Sequence, residues 1–312
     1  MKGIELSREY YKAFGEPMLD QFFGDVKNRI AVGIVGEGSE CFGYDDEIST
    51  DHDFEPGFCI WLTKADYQNF GFKLERAYAK LPKEFMGYKR SSVAPVGGAR
   101  RGVMVTPDFF LKHIGLTSEP KTPEQWFYAP TTGLSSVSNG ELFYDELGEF
   151  SKIYDTLKQG YPRDVKLKKI AAHTIFMVQS GLYNYERCIR HGENGAGQLA
   201  VFEFVKHAIS TIYLLNNKFQ PFYKWAYRGL RGLDVLSSLE DSLIALTEMG
   251  NGEMEFLAKK ESIEEICQMF IDEYRRQGLI TCTINDLERQ AYNIQESISD
   301  PTIRNMNIMD GI

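Results

Sequence analysis

Two apolar runs stand out near the start of the chain. RIAVGIVG, from Arg29 to Gly36, is rich in β-branched residues and stops at glycines, and PGFCIWL, from Pro56 to Leu62, repeats the pattern; both predict neighbouring core strands. Before them, Leu6 to Phe23 has apolar residues at helical spacing and predicts a helix broken at Gly15 and Pro17. After them, Lys64 to Leu81 predicts a helix that stops at a proline. RGVMV, from Arg101 to Val105, predicts a strand that runs into a helix start at Thr106-Pro107-Asp108. A turn at Asn139-Gly140 leads to a last strand, ELFYD, and from about Phe150 onward the periodicity is helical. In VFEFVKHAISTIYLL, Val201, Phe204, Val205, Ala208, Ile209, Ile212 and Leu215 recur at three and four, the stripe of a buried bundle helix. The expected class is α+β: a mixed sheet flanked by helices over residues 1–150, then a helical bundle domain over 151–312.

Composition narrows the picture. The 312 residues suffice for two ordinary domains, and a hydrophobic fraction of 43% is that of a folded globular chain. With 35 Lys and Arg against 44 Asp and Glu, the net charge of -9 argues against general nucleic-acid binding, because it repels phosphate backbones. The five cysteines are scattered and form no CxxC, so they predict reduced thiols in a cytoplasm in place of a disulfide framework or a zinc site. The opening MKGIELSREYYKAF is charged where a signal peptide needs an apolar core. No apolar run reaches the roughly eighteen residues of a membrane helix, so neither secretion nor a membrane partner is expected.

The densest chemistry lies between the first two strands, in GEGSECFGYDDEISTDHDFEPGFCIWL. Asp51 and Asp53 are two apart, so on an extended strand both carboxylates point the same way. Left alone they repel, and a hard divalent ion such as Mg2+ (or Mn2+) satisfies both. Gly38-Ser39 follows the first strand, where a tight turn presents backbone N–H groups and the serine hydroxyl to a phosphate. The loop between carries Gly43 and Ser49, Ser49 being a further candidate for the nucleotide side. His52, between the aspartates, points the opposite way.

The order strand, Gly-Ser, loop, Asp-x-Asp, strand resembles the motif of the nucleotidyltransferase superfamily. Together with YPRDVKLKKIAAHTIFMVQSGLYNYERC and NNKFQPFYKW, the segment also resembles an uncharacterised bacterial family named domain of unknown function 4037, over nearly the whole chain. The superfamily resemblance implies that Gly38 and Ser39 hold the nucleotide phosphates and that Asp51 and Asp53 bind the metal. It also implies a third acid on a later strand. RGVMV departs there, with Met104 at the expected position, which leaves Asp108 or Asp145 as substitutes. The donor would be ATP or another NTP.

In the helical half, Lys224 in FQPFYKW predicts a fixed cation, and the resemblance nominates it to reach the triphosphate. Gln179, Tyr183, Arg187 and Arg190 share one helical face, either lining an acceptor pocket or forming a satisfied polar layer between helices. His173, His191 and His207 show no ligand spacing and are expected to be structural. The leading expectation is an enzyme that transfers a nucleoside monophosphate, AMP from ATP, to a hydroxyl of a small molecule or protein. A catalytically silent nucleotide-binding regulatory or antitoxin-like module is the alternative.

Overall fold

A computed structural model describes residues 1–48, 54–90 and 100–312. The chain divides into two compact units, residues 1–120 with 129–160, and residues 121–128 with 161–312. The class is α+β: a mixed four-stranded sheet with helices, followed in sequence by a helical region.

The first unit opens with α1 (Gly3–Tyr10) and α2 (Glu16–Phe23). The expected break between them is absent. The helical path continues through a π-turn at Tyr11–Gly15, with Pro17 just after it in the first turn of α2. Gly15 is there for space, since a Cβ would come within 2.5 Å of the Phe58 ring.

Strands β1 (Ala31–Ile34) and β2 (Cys59–Leu62) pair antiparallel, with α3 (Ser39–Phe42), a single turn, between them in sequence. Both strands are buried along their whole length, which explains runs that are apolar throughout instead of alternating. Next come α4 (Lys64–Asp66), α5 (Phe72–Ala79), the short hairpin of β3 (Glu84–Phe85) and β4 (Tyr88–Lys89), and β5 (Gly102–Val105), which lies parallel to β2. Helix α6 (Thr106–Ile114) follows without a loop.

Beyond α7 (Pro123–Tyr128) and α8 (Thr131–Val137), β6 (Glu141–Asp145) pairs antiparallel with β1 and completes the order β5-β2-β1-β6; α9 (Glu149–Lys158) closes the unit. Alternation along β2 assigns its two faces. Ile60 and Leu62 join Tyr10, Leu19, Phe58 and Leu74 in one core. Trp61 points the other way, stacked on Phe150 of α9 at 4.1 Å between centroids and edge-on to Phe109 of α6.

The second unit is helical: α10 (Arg163–Met177), α11 (Tyr185–Arg190), α12 (Asn194–Leu215), α13 (Tyr223–Leu230), α14 (Glu240–Glu248), α15 (Glu253–Arg276), α16 (Leu287–Glu296) and α17 (Pro301–Arg304). The seven stripe residues of α12 are all buried. A π-turn at Val178–Asn184 joins α10 to α11, and Gly181 in it lets α12 approach, since a Cβ there would meet Phe204 at 2.5 Å. The division falls at residue 160, not 150, because Phe150 at the start of α9 is buried against the sheet. Residues 121–128 belong with the helices, where Trp126 stacks on Phe219 and meets Tyr161 edge-on.

Candidate functional site

The end of β1 builds one wall of the site. Gly36 and Gly38 both take positive φ, 133° and 122°, conformations open to glycine and strained for other residues. The Asn139 side chain clamps Gly36 from both sides, accepting from its N–H at 3.0 Å and donating to its carbonyl at 2.8 Å. Asn139 was legible only as half of a turn dipeptide; its use as a clamp depends on β6 pairing with β1.

Ser39 opens α3 and is half-buried. The acids beside it have structural partners. Glu40 is ion-paired to Arg101 with both side chains 7% exposed, and its carboxylate folds back on the turn, where a Cβ on Gly38 would lie 2.4 Å from Glu40 Oε2. Burial opposes charge on the Arg101 guanidinium, but its surroundings, with the Glu40 carboxylate paired to it, outweigh that and hold its pKa up. Burial pushes both thiols upward, so they are poor nucleophiles. Asp45 is buried and accepts from the Gly3 N–H at 2.9 Å, tying this loop to the start of α1. Ser49, Asp51, His52 and Asp53 lie outside the described residues. Among the described residues, no group of three or more His, Cys, Asp or Glu side chains is gathered to hold a metal.

Beside this wall opens a cavity of about 400 Å³, lined among others by Gly36, Glu37, Arg100, Asp108, Lys112 and His113, with Met104 and Phe109. Met104, the strand position where an acid is expected, does border the cavity, and Asp108 enters it from the first turn of α6. The structure brings Asp108 to the end of β1 that carries Gly36, and it removes Asp145 from that end. Asp145 pairs in register with Ala31 at the opposite end of β1, and its carboxylate accepts from the N–H groups of Gly148 and Ser151 and from the Ser151 hydroxyl at 2.8–2.9 Å. It organises the start of α9.

His113 was not singled out in the sequence. Its side chain is only 7% exposed, its Nδ1 lies 3.9 Å from Glu37 Oε1, and its ring packs on Phe109 at 4.8 Å between centroids. Burial pulls its pKa below the ordinary histidine value, with Glu37 opposing and Lys112 assisting, so the ring is neutral at pH 7. One signal was available: His113 lies five residues after Asp108 on the same helix.

The remaining candidates belong to the second unit. Lys224, in the first turn of α13, is exposed and lies 4.9 Å from the Trp225 ring centroid. Gln179, Tyr183, Arg187 and Arg190 are all exposed, with the Tyr183 hydroxyl donating to Glu288 at 2.7 Å. Being exposed, they do not form a buried polar layer between helices. His173 and His207 are buried and meet, Nδ1 to Nδ1, at 2.8 Å, a pairing hidden by their separation of 34 residues.

A family model described as domain of unknown function (DUF4037) matches residues 126–226. The matched stretch holds YPRDVKLKKIAAH and NNKFQPFYKW, so the chain resembles that family there; the Gly-Ser and Asp-x-Asp segment lies outside it, which makes the likeness shorter than the motifs suggested. No curated protein and no solved structure matches the chain. No helix among the described residues is long and apolar enough to cross a membrane.

Proposed function

We propose that the protein is a metal-dependent nucleotidyltransferase, moving a nucleoside monophosphate from ATP or another NTP to a hydroxyl of a small molecule or protein. The observation that supports this reading best is the cavity at the end of β1. Gly36, the first of the two positive-φ glycines, borders it, as do Asp108 and the cations Arg100 and Lys112, which suit a polyphosphate. Asp51 and Asp53 supply oxygen donors of the kind a hard divalent ion takes, and such an ion would neutralise charge on the transferring group. Gly38 and Ser39 would hold phosphate oxygens, and Asp108 is the third acid. We assign the protein to the cytoplasm, a reading supported by five cysteines that all remain thiols.

A silent nucleotide-binding regulatory or antitoxin-like module has its own support. A carboxylate, that of Glu40, lies against Gly38, and Met104 occupies the strand position of the third acid. Incubation with labelled ATP, GTP, CTP and UTP plus Mg2+ separates the two. Pyrophosphate release that disappears in Asp51→Asn and Asp53→Asn marks an enzyme; nucleotide binding without turnover marks the module and overturns the proposal.

A further inference from the structure

We propose that His113, oriented by Glu37, is the base that takes the acceptor's proton, a role separate from that of the third acid, Asp108; this rests on the nucleotidyltransferase reading. The geometry meets the requirements for such a pair. Both side chains line the same cavity, from different segments of the unit, and Nδ1 faces the Glu37 carboxylate at 3.9 Å. That distance is beyond a hydrogen bond and within reach of one on modest closure, as expected of a base–orienter pair without substrate. A carboxylate on Nδ1 favours the tautomer with the proton there and leaves Nε2 with its lone pair.

Among the described residues, the other charged or titratable groups that line the cavity are Asp108 and Lys112 on the same helix, Arg100 before β5, and Tyr67. Helix α8, which packs behind α6, is TTGLSSV and contributes no titratable group. An imidazole is the side chain whose affinity for protons lies nearest neutrality, where a general base is most effective.

The step balances. Nε2 takes the proton of the acceptor hydroxyl as its oxygen forms a bond to the α-phosphorus of the NTP. The bond from that phosphorus to the bridging oxygen breaks, pyrophosphate leaves with the electron pair, and the imidazolium returns its proton to solvent.

The test uses the full-length protein with ATP and Mg2+, and glycerol as a stand-in hydroxyl acceptor. His113→Asn keeps a donor in the place of Nδ1–H and removes the lone pair. It is expected to lower pyrophosphate release by about 10²–10⁴-fold with ATP binding unchanged. Glu37 holds the His113 pKa up, so Glu37→Gln should move the acidic limb of the pH–rate profile to lower pH. Nitrogen chemical shifts of His113 should show the Nδ1–H tautomer without reference to turnover. An Nε2–H tautomer, or turnover whose rate and acidic limb survive both substitutions, overturns this inference alone. ATP binding with no turnover in the wild-type protein overturns the parent reading, and this one with it.

Discussion

The buried pair Glu40–Arg101 ties the Gly38–Ser39 turn to the segment entering β5, and its removal has a calculable effect. Each side chain is 7% exposed, so Glu40→Gln leaves a guanidinium in a water-poor site with its main counter-charge gone. Breaking a buried pair from one side costs about 3–5 kcal/mol, against about 0–1 for an exposed pair such as Lys12–Glu9. At about 1.4 kcal/mol per factor of ten, the protection of β1 and β2 amides against hydrogen exchange should drop by roughly 10²–10⁴-fold. Exchange localises the effect to the first unit and needs no two-state assumption for a chain of two units. Arg101→Met alone should cost a similar amount, because the Glu40 carboxylate is then stranded against Gly38. The double variant Glu40→Gln/Arg101→Met should lose clearly less than the sum, since no buried charge is left without its partner. A single-variant loss under about tenfold, or strict additivity of the two, would show that the site is wet and the reasoning wrong.

The histidine pair of α10 and α12 predicts acid sensitivity. Burial lowers the pKa of both rings, His207 to about 4, while unfolded histidine titrates near 6.5. Stability is therefore full above about pH 6.5 and falls as pH drops toward about 4, with a slope of up to ~1.4 kcal/mol per pH unit for each histidine. Urea melts between pH 7.5 and 5 measure the slope, which His173→Phe/His207→Phe should flatten; equal slopes in both proteins would refute it. In the same unit the fully buried Lys168 donates to the carbonyls of Asn307, Ile308 and Asp310 at 2.7–3.0 Å. Lys168→Met should cost about 1.5–3 kcal/mol and speed limited proteolysis after residue 304, and unchanged cleavage would assign the anchoring elsewhere.

How much of this was legible follows from the range of the interactions involved. The core strands, the helix after Thr106-Pro107 and the α12 stripe were readable because each depends on neighbours within a few residues, so their periodicity records which faces are buried. The break expected at Gly15 and Pro17 is absent because Gly15 serves packing, its lack of a side chain making room for Phe58. The buried polar layer over 179–190 is absent for a different reason: spacing shows that residues share a face and cannot show what that face meets.

The site divides along the same line. Glycines at the end of β1 and an acid at the start of α6 are local features, and the sequence alone determined both, along with the α+β class and the helical second half. Tertiary structure decided which of these meet. The sheet order β5-β2-β1-β6 puts Asp145 at one end of β1 and the cavity with Asp108 at the other, and it joins Glu40 to Arg101 across 61 residues and His113 to Glu37 across 76 by sequence difference. No window of a dozen residues contains such pairings, because charges and rings far apart in the chain become neighbours only once the strands between them have found their register.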